Sequence, residues 1–203
     1  MPLTLGYKAS AEQFGPRELL DYSVLAEQLG LDSVAVSDHF QPWRHHGGHS
    51  PNSLVWLGAL AERTERAQLG TSVLTPTMRY HPSIVAQAAA TLACLAPGRT
   101  YLAVGTGEAL NEYSSIGDWP GYVERQARLA EAIALIRALW TGDEVTFDGD
   151  FFRTRKARLY TRPEAAIPLY VSSLSPGSAA FAGKHGDGLL TVVGNRRECT
   201  SGS

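Results

Sequence analysis

Ser33-Val34-Ala35-Val36 runs without a break into Ser37-Asp38-His39-Phe40-Gln41-Pro42-Trp43-Arg44. The first four residues, small or β-branched, read as a short buried strand. An acid, a histidine and a tryptophan follow with no turn residue in front of them. Parallel α/β folds place their active-site side chains at such carboxyl ends of strands. Upstream, Leu19, Tyr22, Ala26 and Leu29 mark one face of a helix that Pro16 opens and Gly30 closes. Residues 3–7 then read as a first strand.

Downstream the same alternation continues. A helix carries Leu54, Leu57 and Ala61, and residues 67–73 make a third strand. The next helix starts at Pro82, shows Val85, Ala88, Leu92 and Leu95 on one face and stops at Pro97-Gly98. Residues 101–104 form a fourth strand, followed by a helix with Leu129, Ile133, Ile136 and Trp140. Val145-Thr146-Phe147 and Asp150-Phe151-Phe152 flank Asp148-Gly149 and read as a hairpin on a type I′ turn. A fifth strand at 168–171, a short helix at 179–185 and a sixth strand at 188–193 follow. Strand and helix recurring at roughly 30-residue intervals mean βαβ units and a parallel sheet. Two α/β architectures fit: an open doubly wound sheet and a (β/α) barrel, which needs eight strands. Residues 1–194 read as one domain and 195–203 as a polar tail.

Composition narrows the function classes. The chain has 203 residues, 44% of them hydrophobic, which argues against disorder. Eighteen basic against twenty acidic residues give a net charge of −2, so a nucleic-acid or anionic-membrane partner has no electrostatic footing. The longest apolar stretch, 85–96, is too short for a membrane span, and the first residues lack a signal-peptide pattern. Two cysteines, Cys94 and Cys199, make no disulfide framework, as expected in a reducing cytoplasm.

The polar residues gather at one end of the expected strands: Asp38-His39, Ser72 to Thr75, Gly105-Thr106-Gly107-Glu108 and Ser172-Ser173. His39 at a strand end suits proton exchange near neutral pH, ahead of a merely hydrogen-bonded core histidine. Because adjacent residues leaving a strand point apart, Asp38 and His39 should serve different partners. Glu108 suits either a functional acid or a helix N-terminal carboxylate. Trp43 alone would read as core. His45, His46 and His49 lie in a glycine-containing loop without other ligand types at metal spacing, so no metal site is expected. Gly105-Thr106-Gly107 is followed by Leu110 where a dinucleotide fingerprint needs its third glycine. No phosphate-loop Gly-Lys-Ser/Thr, serine elbow or CxxC occurs either.

Four segments carry a more specific resemblance. Gly6-Tyr7-Lys8-Ala9-Ser10-Ala11-Glu12-Gln13-Phe14, Val36-Ser37-Asp38-His39-Phe40-Gln41-Pro42-Trp43-Arg44, Gly70-Thr71-Ser72-Val73-Leu74-Thr75-Pro76 and Val104-Gly105-Thr106-Gly107-Glu108-Ala109-Leu110-Asn111-Glu112 resemble the F(420)-dependent glucose-6-phosphate dehydrogenases. These belong to the luciferase-like superfamily of TIM barrels. The resemblance implies a (β/α)8 barrel with about six of its eight strands in this chain, apparently truncated at the C-terminus. It implies a cytoplasmic oxidoreductase of carbohydrate metabolism, usually a homodimer, that moves a hydride from C1 of glucose 6-phosphate to the deazaflavin coenzyme F(420).

Carried onto this chain, the resemblance makes His39 the base for the sugar hydroxyl and Glu108 the acid serving the coenzyme ring. Trp43 and Glu12 line the space between ring and sugar. Asp38, Thr75, Thr106, Gly107 and Asn111 hold the deazaflavin, and Ser72-Val73 matches a non-proline cis peptide against the ring. Gly177 and Ser178 keep the coenzyme's phosphate side. The sugar-phosphate positions align with Val192 and Asn195, neither cationic, with Arg196 as a substitute nearby. Two other readings remain: an FMN-dependent luciferase-like monooxygenase, and a non-catalytic fragment of the dehydrogenase.

Overall fold

The computed structural model describes residues 3–192. Consecutive parallel strands need a crossover, and right-handed crossovers that always add the new strand to the same edge leave every helix on one side. That is the arrangement found. β1 (Gly6–Ala9), β2 (Ser33–Val36), β3 (Gln68–Thr71), β4 (Thr100–Val104), β7 (Leu169–Ser172) and β8 (Gly188–Leu190) form a six-stranded parallel sheet in that order. The order never reverses, as it would at the switch point of a doubly wound sheet. Helices α1 (Pro16–Gln28), α2 (Ser53–Ala61), α3 (Pro82–Leu95) and α5 (Tyr122–Trp140) pack each on the next, and α6 (Pro176–His185) lies on β7 and β8. The sheet is thus six strands of a barrel wall with its helices outside.

Two cores lie between sheet and helices. One joins Ala9, Leu19, Val34, Val36, Leu57, Leu60 and Leu69 around the first three strands. The other joins Val85, Ala89, Leu102, Val104, Leu135, Ile136, Leu169 and Val171 around β4 and β7. α3 and its C-cap serve both, giving Leu92 and the C-cap Ala96 to the first and Val85, Ala86, Ala89 and Ala93 to the second. Alternate strand residues face the barrel interior and are small, polar or aromatic: Lys8, Ser37, Gly70, Tyr101 and Tyr170. The Tyr101 ring lies where a Cβ on Gly70 would sit, so that position admits only glycine.

Several sequence expectations shift. The first strand is Gly6–Ala9 rather than 3–7, because its register is set by pairing with Ser33–Val36. On α1 the buried stripe is Leu19, Ser23 and Ala26; Tyr22 and Leu29 are exposed. Ser23 is buried without penalty because its hydroxyl donates to Leu19 O at 2.8 Å. α4 (Ala109–Ile116) follows β4 with Glu108 at its N-cap, the helix that the reading of Glu108 as a helix N-terminal carboxylate requires. The hairpin is β5 (Val145–Asp148) with β6 (Arg153–Ala157), joined by a four-residue loop instead of a two-residue turn. The loop holds because the Glu131 carboxylate accepts from the amides of Asp150, Phe151 and Phe152 at 2.9, 3.0 and 2.6 Å.

Candidate active site

The turn after β1 brings Glu12 to the rim, and the end of β2 delivers Asp38 and His39 beside it. Glu12 Oε1 lies 2.7 Å from His39 Nδ1, and on the other side His39 Nε2 lies 3.8 Å from Glu108 Oε2. Neither Glu12 Oε1 nor His39 Nδ1 has an aligned hydrogen-bond partner among the described residues, so the two groups are in close but poorly aligned contact. Burial alone would raise the Glu12 carboxyl. The nearby His39 and Ser37 side chains and its own backbone amide outweigh burial and bring it down to about 2. Trp43 packs edge-on against His39 at 5.3 Å between centroids and stays 62% exposed.

Asp38 turns the other way. Its Oδ1 accepts from Ser53 Oγ at 2.7 Å and Tyr80 Oη at 3.2 Å, and Oδ2 accepts from Arg79 Nη2 at 2.9 Å. Arg79 Nη2 also donates to the Asp38 carbonyl at 2.8 Å, and Nε donates to Glu112 Oε1 at 3.2 Å. Burial disfavours the Arg79 charge, but the Asp38 and Glu112 carboxylates raise its pKa above the ordinary value. Burial raises Glu112 against the pull of Arg79. Burial, then the Asp38 charge, pushes Tyr80 up to about 12. Asn111 completes the junction: its Oδ1 accepts from the amides of Phe40 and Gln41 at 2.8 and 3.1 Å. Loops after β2, β3 and β4 are thereby tied into one rim.

Below the rim opens a cleft of about 360 Å³. Its lining includes Asp38, His39, Trp43, Ser72, Val73, Thr75, Thr106, Gly107, Glu108, Asn111 and Val192, which follow the ends of β2, β3, β4 and β8. Glu12 touches this set through His39 and lines the neighbouring hollow behind Trp43. The Ser72–Val73 peptide is cis. Gly107 has φ +86°, and a Cβ there would meet Glu112 Cγ at 3.0 Å and Thr75 Cγ2 at 3.1 Å. Ser178 is engaged elsewhere: its amide donates to Ser175 Oγ at 3.2 Å, and its Oγ accepts from the Leu174 and Ser175 amides at 3.0 and 2.9 Å. This capping box leaves the exposed Gly177 beside it as the freer of the two positions. Asn195 and Arg196 lie outside the described residues, as does Cys199. Nothing in the sequence marks Arg79 or Lys8 as a site residue, although Lys8 stands in a rim segment and Arg79 close behind another.

The sequence model of the luciferase-like monooxygenase family matches residues 2–200. The chain belongs to that family. Among luciferase-like relatives, the F(420)-dependent glucose-6-phosphate dehydrogenase of Rhodococcus erythropolis is 59% identical over 97% of this chain. That of Beutenbergia cavernae is 60% identical over 97% of it. The chain spans 59% and 58% of their respective lengths. A solved F(420)-dependent secondary alcohol dehydrogenase, in complex with an F(420)-acetone adduct, superposes with a TM-score of 0.93 at 45% identity. That match covers 96% of this chain and 59% of the other. The tetrahydromethanopterin reductase of Methanopyrus kandleri, at 21% identity and TM-score 0.79, shows the same fold. The resemblance read from the four rim segments, and the barrel class with it, are borne out.

Proposed function

We propose that this chain carries the coenzyme rim and the proton-handling pair of an F(420)-dependent dehydrogenase acting on a CH–OH group, with glucose 6-phosphate as the favoured donor. The observation that carries the reading is the placement of His39 between Glu12 and Glu108 at the mouth of the cleft. The cleft suits a flat heterocycle. Its volume falls in the range of about 300–1,000 Å³ usual for cofactor pockets. Apolar Val73 and Leu190 alternate in its wall with Thr75, Thr106 and Asn111.

Bound deazaflavin accepts a hydride, so the protein must remove the hydroxyl proton as the hydride leaves. Glu12, ionised at neutral pH, faces His39 Nδ1 and favours the proton there. The Nε2 lone pair is then turned to the cleft, able to accept a proton from the donor hydroxyl. Glu108, at the other edge, supplies an exposed carboxyl at the N-cap of α4. Trp43 covers the histidine and limits water access on that side. Asp38 takes part by holding the rim through Arg79, and Gly177 offers its amide at the start of α6. A homodimeric, cytoplasmic role in carbohydrate metabolism is part of the same proposal. No helix among the described residues is long and apolar enough to cross a membrane.

The relatives' names favour the sugar phosphate, whereas the solved neighbour acts on an uncharged alcohol. Titration of the chain with oxidised F(420), against FMN as competitor, separates coenzymes. Addition of glucose 6-phosphate or propan-2-ol, with the coenzyme absorbance followed, separates donors. We expect F(420) binding that FMN fails to displace at equal concentration, with bleaching by glucose 6-phosphate. In His39→Ala binding persists and the bleaching rate falls by about 10²–10⁴-fold. Absence of F(420) binding overturns the coenzyme assignment. Bleaching by propan-2-ol alone overturns the donor, and binding without bleaching by either marks a chain that lacks the activity.

A further inference from the structure

We propose that Lys8 is the anion-binding residue of the cleft: its ammonium holds the phosphate of a sugar-phosphate donor and ranks that donor above its uncharged counterpart. The inference deepens the reading of the cleft as a dehydrogenase site and rests on it. Lys8 stands on the interior face of β1 and lines the same cleft as His39 and Val192. Its Nζ donates to Ser37 Oγ at 2.7 Å, across the β1–β2 pair where Lys8 faces Ala35 in register. Ser37 immediately precedes Asp38 and His39, so this bond fixes the ammonium beside the segment that carries the base. An ammonium has three donor hydrogens, and with one directed at a neutral hydroxyl two remain.

The remaining charges of the cleft decide what those two hydrogens can meet. Among the described residues its lining holds the acids Asp38, Glu108 and Glu112 and, as a lysine or arginine, Lys8 alone. Asp38 and Glu112 are taken up by Arg79 at 2.9 and 3.2 Å. Lys8 forms no ion pair among the described residues. Burial lowers its pKa and the Glu12 charge pulls the other way, but Glu12 lies 2.7 Å from His39 Nδ1 instead. A poorly hydrated ammonium is one that an incoming anion stabilises. Without Lys8 the lining would repel a phosphate; with it a dianion meets an opposite charge and charge-assisted hydrogen bonds. Val192 and Asn195, at the positions where the resemblance puts the phosphate, bring no positive charge. Arg44 lines the neighbouring hollow behind Trp43, and Arg196 lies outside the described residues. An uncharged alcohol offers the ammonium nothing to neutralise, so Lys8 sorts donors by charge.

Binding is the readout, so the test does not depend on turnover. Calorimetry gives dissociation constants of glucose 6-phosphate, glucose and F(420), and the phosphorus-31 shift of glucose 6-phosphate reports contact at the phosphate itself. In Lys8→Met, glucose 6-phosphate should bind about 10–100-fold more weakly, the loss of a hydrogen bond to a charged group. Its advantage over glucose should shrink by the same factor, while F(420) affinity stays unchanged. Lys8→Arg should restore most of the binding. Lys8→Gln, which keeps a donor for Ser37 without the charge, carries the test should melting curves show Lys8→Met unfolded. Equal affinity in Lys8→Met and the unsubstituted chain overturns the proposal, as does an unsubstituted chain that binds no glucose 6-phosphate. A loss seen in Arg44→Met or Arg196→Met but not in Lys8→Met places the phosphate elsewhere and overturns it. An equal loss of F(420) affinity in Lys8→Met gives the ammonium to the coenzyme and overturns it too. The dehydrogenase reading fails separately. A chain that holds glucose 6-phosphate through Lys8 yet bleaches no F(420) keeps the anion site and loses the activity.

Discussion

Gly107 shows how much can hang on a hydrogen in place of a methyl group. Its φ of +86° lies in the left-handed region, and the space where a Cβ would go is closed by Glu112 and Thr75. Left-handed backbone costs a non-glycine residue about 1–2 kcal/mol before any contact is counted. Gly107→Ala should therefore lower unfolding free energy by at least about 1 kcal/mol, read from urea titration. It should also weaken F(420) binding more than a surface glycine substitution such as Gly58→Ala, whose Cβ meets nothing. At this scale the sequence was informative where residue type alone carries chemistry. His39 and Glu108 could be picked out because a histidine and an acid ended strands. Arg79 could not, since its value lies in two buried carboxylates, 41 residues before it and 33 after it in the chain.

Between elements the recurring device is a carboxylate on a helix that accepts from consecutive amides just ahead of a strand. Glu27 on α1 accepts from Glu65, Arg66 and Ala67 at 3.0, 2.9 and 2.6 Å, ahead of β3; Glu131 on α5 does the same ahead of β6. Burial opposes the Glu27 charge, but the three amides win and hold its pKa below the ordinary value. A depressed folded pKa gives stability that is full above the unfolded value and is lost as pH falls through the folded one. Glu27→Gln should thus cost about 1 kcal/mol at neutral pH, a modest figure because solvent screens the site. The gap between the two proteins should close in acid, as thermal melts across the acidic range would show. The Arg79 junction is a harsher case. Arg79→Met strands Asp38 and Glu112 as buried carboxylates, an expected loss of about 3–5 kcal/mol in denaturant titration. Helices and strands were readable from periodicity. These carboxylate hooks were not, because an acid at a helix position looks the same whether it meets water or three amides. The four-residue hairpin loop was misread for that reason: Asp148-Gly149 suggests a tight turn until Glu131 is seen to organise the residues after it.

Across the described residues as a whole, the sheet has two free edges, β1 and β8, and an interior face carrying Tyr101 and Tyr170. Unpaired edge strands invite pairing with other chains. The apparent mass of the purified chain in sedimentation should therefore rise with concentration; a single monomer species at all concentrations would contradict this. The barrel class illustrates what residues alone can and cannot settle. Alternation of strand and helix predicted a parallel sheet, yet it fits an open sheet as well as a barrel. The four rim segments choose the barrel through their resemblance, and the order β1-β2-β3-β4-β7-β8, a property of pairing rather than of periodicity, agrees. The division into two cores has a mechanical side as well. His39 extends from β2, seated on one core, and Glu108 follows β4, seated on the other. The 3.8 Å gap between them is thus a joint dimension, like the opening of a vice whose jaws are bolted to separate blocks. A methyl group added to or taken from either core, far from the cleft, works as a shim and resets the spacing of the pair.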